Sequence, residues 1–188
     1  PVAADHTIDQ RWCAYSDCEH GRWDVLYKRL TEMLPGRASQ SFMDATKALK
    51  LSDGGIPDFE LLSDRLEALT GWRVVGVPGL VPDEAFFDHL ANRRFPAGCF
   101  IRDADEMDYI EEPDVFHDVF GHVPLLANPV YADFMEAYGK GGLRALKLGR
   151  LENLARLYWY TIEFGLIREA GALRLFGAGI MSSPTETV

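Results

Sequence analysis

Apolar positions recur with helical spacing over most of the chain, and with strand spacing over short stretches only. Ser16-Asp17-Cys18-Glu19 is a capping-box pattern, in which a serine and a glutamate three residues on satisfy each other's backbone N–H groups. The helix it opens carries Trp23, Leu26, Tyr27, Leu30 and Leu34, and Pro35-Gly36 stops it. A second helix is predicted over 41–49. A third starts at Pro57, presents Leu61, Leu62, Leu66 and Leu69, and ends before Gly71. Residues 73–77 read as a short strand, and Pro82-Asp83-Glu84 opens a helix with Phe86, Phe87 and Leu90. Residues 95–101 are again strand-like, with Pro96 placing them at an edge or a bulge.

Beyond this point the pattern is helical again. Pro113 at a first helical position starts one segment, and Asn128-Pro129 caps another that is predicted to close at Gly139. Residues 150–166 are predicted to form one long, largely apolar helix, and 173–176 could be a last small strand. No repeat, low-complexity tract or linker divides the pattern. The expected fold class is mainly α with a small β component (α+β), in a single domain.

Composition narrows the function. The chain has 188 residues, 47% of them hydrophobic and 12% aromatic, which suits one domain with a core of large side chains. Nineteen basic against 29 acidic residues give a net charge of -10, which argues against a nucleic acid partner, because nothing would neutralise the phosphates. No apolar run is long enough to span a bilayer, and no signal pattern opens the chain, so no membrane partner is expected. Cys13, Cys18 and Cys99 are an odd number and make no disulfide framework; a reducing cytoplasm is the simplest reading. Cys13 and Cys18 lack the second thiol pair that a tetrahedral metal site needs.

The candidate chemistry lies in Glu112-Pro-Asp-Val-Phe-His117-Asp-Val-Phe-Gly-His122-Val-Pro124. On an ideal α-helix, positions five apart point about 140° away from each other. Gly121 and Pro124 suggest that the helix ends or deforms there, which would let both imidazoles converge on one ion. Taken alone, the pair is also compatible with ordinary core or surface histidines. Glu163 adds weight. It sits in Leu157-Tyr-Trp-Tyr-Thr-Ile-Glu163-Phe-Gly-Leu-Ile167, a stretch apolar nearly all round and therefore expected to be buried. A buried carboxylate costs several kcal/mol unless a cation, a metal or hydrogen bonds compensate it. An arginine partner or a protonated glutamate would also serve. Two neutral imidazoles and one carboxylate form the facial triad of non-haem Fe(II) oxygenases, with positions left open for dioxygen and substrate. Zinc is the alternative metal, in a hydrolase using the same ligands, although the peptidase pattern His-Glu-x-x-His is absent.

Residues 112–124, Tyr-Trp-Tyr-Thr-Ile-Glu-Phe-Gly-Leu at 158–166 and Phe-Gly-Ala-Gly-Ile-Met-Ser-Ser at 176–183 resemble the catalytic domain of the tetrahydropterin-dependent aromatic amino acid hydroxylases. Leu-Thr-Gly-Trp-Arg at 69–73 and Tyr-Ser-x-x-Glu-His-x-x-Trp at 15–23 extend the resemblance over nearly the whole chain, in the family's order. It is greatest with the short bacterial phenylalanine 4-hydroxylases. The resemblance implies residues 1–188 as a single catalytic domain, lacking a C-terminal segment with which family members continue.

It further implies Fe(II) on His117, His122 and Glu163, with tetrahydropterin and O2 as cosubstrates and hydroxylation of phenylalanine to tyrosine as the reaction. Tryptophan or tyrosine hydroxylation are the alternatives within the family, and Trp159 favours phenylalanine over tryptophan. By the same resemblance Arg102 holds the substrate carboxylate, with Tyr109, Trp159 and Ser182 on the substrate side. Ser182 also supports a ligand histidine. Phe86 stacks on the pterin, with Gly79, Leu80, Val81 and Tyr158 completing that site, and Asp114 and Asp118 stand behind the ligands or on the cofactor side. With no tetramerisation helix in the residues present, a monomer is expected.

Overall fold

The computed structural model describes residues 1–52 and 54–187. Its elements run α1 (Asp17–Met33), α2 (Gln40–Ala48), α3 (Phe59–Thr70), β1 (Arg73–Val77), α4 (Asp83–Ala91) and β2 (Arg94–Gly98). A π-helical segment, Phe116–His122, then continues into α5 (Val123–Leu126), followed by α6 (Pro129–Lys147). The last part comprises α7 (Leu151–Tyr158), a second π-helical segment Trp159–Glu163, β3 (Leu166–Glu169), β4 (Ala172–Leu175) and α8 (Ala178–Met181).

The capping box of α1 forms as read, with Ser16 and Glu19 bonding reciprocally. Asp58, not Pro57, caps α3, its carboxylate accepting from Glu60 N. β1 and β2 pair in parallel, Val74 opposite Phe95, with α4 as the crossover. β2 has a strand partner on one side only, and Pro96 is tolerated there as in an edge strand. β3 and β4 pair antiparallel through Ala170-Gly171, both at positive φ as the tight hairpin turn requires. Leu175 then bonds to Arg37 and Ser39, which seats the hairpin and delivers Gly177 to the centre of the molecule.

Two expectations fail here. α6 runs eight residues past Gly139, because Gly139 and Gly142 serve helix contact rather than termination. A Cβ on Gly139 would lie 2.3 Å from Ala91 N, and one on Gly142 would lie 2.0 Å from the Phe87 ring. The predicted helix over 150–166 is also broken: its α-helical part ends at Tyr158, widens into the π-helical segment and gives way to β3. Nor is it buried all round, since Leu157, Trp159 and Tyr160 are 45%, 55% and 71% exposed. Ile162, Glu163 and Gly165 are buried, while Leu151, Leu154 and Tyr158 pack against the core from one side.

The core lies where α1, α2 and the first π-helical segment meet. Phe116 stacks on Phe120, and Trp23 and Phe42 meet them edge-on. Burying each such ring is worth about 1.5–3 kcal/mol. That anchoring fixes the rotation of the segment carrying both histidines.

Candidate metal centre

The helical turn that carries the histidines opens at Val115, two residues beyond Pro113, and Asp114 accepts the His117 backbone N–H at 2.9 Å. Its π-helical winding answers the spacing problem. A π turn closes on the fifth residue, so positions five apart come onto one face instead of diverging. Phe116, Val119 and Phe120 hold the opposite face in the core. Glu163 closes the second π-helical segment, whose last turn is sealed by Phe164 N–H donating to the Trp159 carbonyl at 3.0 Å.

The three side chains converge. The His117 and His122 Nε2 atoms are 3.2 Å apart, and Glu163 places Oε1 3.0 Å from the latter and Oε2 3.8 Å from the former. Two donors bound at about 2.1 Å and at right angles stand about 3 Å apart, so the spacing fits one cation. Ser182 settles which nitrogen of His117 is available. Its hydroxyl donates to the Ala178 carbonyl at 2.8 Å, so its oxygen accepts from His117 Nδ1–H at 2.9 Å, leaving the Nε2 lone pair facing the centre. His122 is held differently, by its ring lying between Phe95 and Tyr158 with centroids at 5.1 and 6.0 Å.

Electrostatics agree with a cation site. Burial, then the neighbouring His122, pulls the His117 pKa down to about 4, so this ligand is neutral at ordinary pH. Burial works to raise the Glu163 pKa, but the two imidazoles outweigh it and bring it to about 2. His122 is shifted upward, because Glu163 outweighs its burial. Among the described residues, these three are the one group of histidine, cysteine and acidic side chains arranged to hold a metal ion. The cysteines take no part.

A cavity opens on each side of the triad. One, of about 320 Å³, is bounded by Arg102, Tyr109, Pro113, Trp159, Phe164 and Ser182, with His117 and Glu163 at its inner end. The other, of about 260 Å³, is bounded by Gly79, Leu80, Val81, Phe86, Phe95 and Tyr158, with all three candidate ligands at its inner end. Every residue assigned to the substrate side lines the first, and every one assigned to the cofactor side lines the second. A larger hollow of about 820 Å³ lies between the N-terminal segment and β1 and reaches none of the triad.

Arg102 is 3% exposed and Asp114 fully buried, and they form a two-pronged pair at 2.8 Å on each prong. Asp114 also accepts the Arg102 backbone N–H at 2.9 Å. Asp114 thus lines neither cavity; it ties the arginine of one to the backbone of His117. The Arg102 Nη1 edge makes no hydrogen bond among the described residues. Asp118 lines the second cavity and accepts Gly98 N–H at 2.8 Å, and burial pushes its pKa up to about 7.

Several wall residues escaped the sequence reading. Pro113 lines both cavities, Phe95 supports His122, and Gly179 lies against Glu163. Gly179 stands inside the matched string at 176–183, but nothing in its residue type points to the triad.

Comparison with known proteins follows the same line. The profile described as "Biopterin-dependent aromatic amino acid hydroxylase" matches residues 5–188. Phenylalanine-4-hydroxylase of Caulobacter vibrioides is 62% identical over 184 residues, covering 98% of this chain and 63% of that protein. The Chromobacterium violaceum enzyme of the same name is 53% identical over 186 residues, covering 99% of this chain and 63% of that protein. Of the solved structures, Chromobacterium violaceum phenylalanine hydroxylase with bound iron(III) and the oxidised cofactor 7,8-dihydrobiopterin superposes with a TM-score of 0.95 at 53% identity, covering 98% of this chain and 68% of that one. Its iron- and phenylalanine-bound form superposes at 0.93, with 52% identity, covering 98% and 67%. The chain therefore spans a little under two thirds of the length of these curated relatives.

Proposed function

Since the chain belongs to the biopterin-dependent aromatic amino acid hydroxylases, we propose that it is the catalytic part of a phenylalanine 4-monooxygenase that uses Fe(II), tetrahydropterin and O2. The observation that carries this reading is the pair of cavities meeting at one His-His-Glu triad. A hydrolase needs one substrate chamber beside its metal, whereas a pterin-dependent hydroxylase needs two.

His117, His122 and Glu163 would hold the iron. Together with the reduced pterin, the iron supplies the electrons for activating dioxygen. The chain's own residues do the positioning. The open Nη1 edge of Arg102 receives the amino acid carboxylate, and Asp114 keeps the guanidinium plane fixed. Pro113, Trp159 and Phe164 give the aromatic ring an apolar wall leading to the triad. Ser182 holds His117 in the tautomer that can ligate. Across the triad, Phe86 offers a flat face to a flat bicycle, Tyr158 meets Phe86 edge-on with ring centroids 6.0 Å apart, and the backbone at 79–81 lines the same cavity.

The partner in this reading is a free amino acid, handled by a cytoplasmic monomer. No helix among the described residues is long and apolar enough to cross a membrane. The experiment is to supply Fe(II), tetrahydropterin and O2, and to separate the products from phenylalanine, tyrosine and tryptophan in turn. Tyrosine from phenylalanine as the main product supports the reading. Preferential hydroxylation of tryptophan or tyrosine would reassign the substrate within the family. Hydrolysis persisting without oxygen would point to the zinc alternative.

A further inference from the structure

Helix α8 lies in backbone contact with both π-helical segments. On one side a Cβ added to Gly121 would stand 3.0 Å from the Ala178 carbonyl oxygen. On the other, a Cβ on Gly177 would stand 2.2 Å from the Glu163 carbonyl oxygen, and one on Gly179 would stand 3.0 Å from Glu163 Oε2. At its far end the same helix presents Ser182 to His117.

We propose that Gly179 is a positioning residue for the metal centre: the missing side chain makes the room in which the Glu163 carboxylate sits. One short helix then sets two of the three ligands, Glu163 through Gly179 and His117 through Ser182. The inference rests on reading the triad as a metal site. A methyl on Gly179 meets three things: Glu163 Oε2 at 3.0 Å, the Glu163 carbonyl oxygen at 3.1 Å and Phe164 Cζ at 3.2 Å. The carbonyl belongs to a wound backbone, and the Phe164 ring is packed on Trp159 with centroids 4.7 Å apart. The carboxylate is the free end, so it moves by a few tenths of an ångström. Metal–ligand distances tolerate about 0.2 Å. Gly177 is no substitute as a probe, since a methyl there strikes backbone and would displace the turn.

The test uses metal-free protein titrated with Co(II), read by absorbance and calorimetry. Gly179→Ala should bind about 10-fold or more weakly than wild type, with an unchanged circular dichroism spectrum and metal-free melting temperature. Gly141→Ala, whose added methyl meets nothing within 4 Å, should bind as wild type does. Glu163→Asp, which retracts the carboxylate, should cost less affinity in the Gly179→Ala background than in the wild-type background. Wild-type affinity in Gly179→Ala, or losses that simply multiply in the double variant, would overturn the proposal. So would loss of fold in Gly179→Ala beside an intact Gly141→Ala, since the carboxylate would then not be the group that moves. Failure of wild-type protein to bind Co(II) would instead overturn the metal reading, and this inference with it.

Discussion

Replacing Asp114 with alanine takes the counter-ion from an arginine that is 3% exposed. Four donors lose their acceptor together: Arg102 Nε, Nη2 and backbone N, and the His117 backbone N–H. Breaking a buried ion pair from one side costs about 3–5 kcal/mol, because the surviving charge stays desolvated. Arg102 also borders the 320 Å³ cavity, where water can reach one edge of the guanidinium, so the lower end applies. A loss of about 3 kcal/mol corresponds to a fall in melting temperature of roughly 6–12 °C for a chain of this size. Asp114→Asn keeps the shape and one acceptor oxygen and should lose about half as much. Thermal and urea unfolding of the metal-free proteins, followed by circular dichroism, measure both. A loss below about 1 kcal/mol for Asp114→Ala would refute the reasoning, since it would mean that Arg102 is already hydrated or otherwise paired.

Ser182→Ala removes the group that fixes the His117 tautomer, and should weaken Co(II) binding about 10- to 100-fold while changing metal-free stability little. Phe86→Ala should raise the KM for tetrahydropterin with little effect on that for phenylalanine, and Trp159→Ala should do the reverse; steady-state kinetics with each varied in turn distinguish them. His89 is buried, donates to the Asp5 carbonyl, and has its pKa held below the ordinary 6.5 chiefly by burial. The folded form therefore binds fewer protons than the unfolded one. Its stabilising contribution is present above pH 6.5 and is lost as pH falls from there towards the lowered folded value. Denaturant midpoints from pH 7.5 to 5 should show this slope, flattened in His89→Gln.

Local signals were the ones most readily legible in the sequence. The reciprocal Ser16–Glu19 cap, the proline-opened α6 and the strand at 73–77 are written in residue types whose backbone chemistry is short-ranged. The convergence of His117, His122 and Glu163 was legible because a glutamate amid apolar and aromatic residues demands a partner. The π-helical winding at Phe116–His122 was not, since it depends on Phe116 and Phe120 seating in a core built from α1 and α2. Gly139 misled for a related reason: a glycine that ends a helix and one that lets α4 approach closely look alike until the partner helix is known. The exposure of Leu157 and Tyr160 was equally hidden, because composition says that a stretch is apolar and not what covers it. The two-prong embrace of Arg102 by Asp114 spans twelve positions, and no periodicity links them.

The central claim is that dioxygen delivers an oxygen atom to phenylalanine beside His117, His122 and Glu163. Its most direct test is turnover of phenylalanine by the Fe(II)-loaded protein with tetrahydropterin under ¹⁸O2, with mass analysis of the tyrosine formed and Glu163→Ala as control. The account predicts labelled tyrosine from wild type and none from the variant. Unlabelled tyrosine, or equal product from Glu163→Ala, would contradict it.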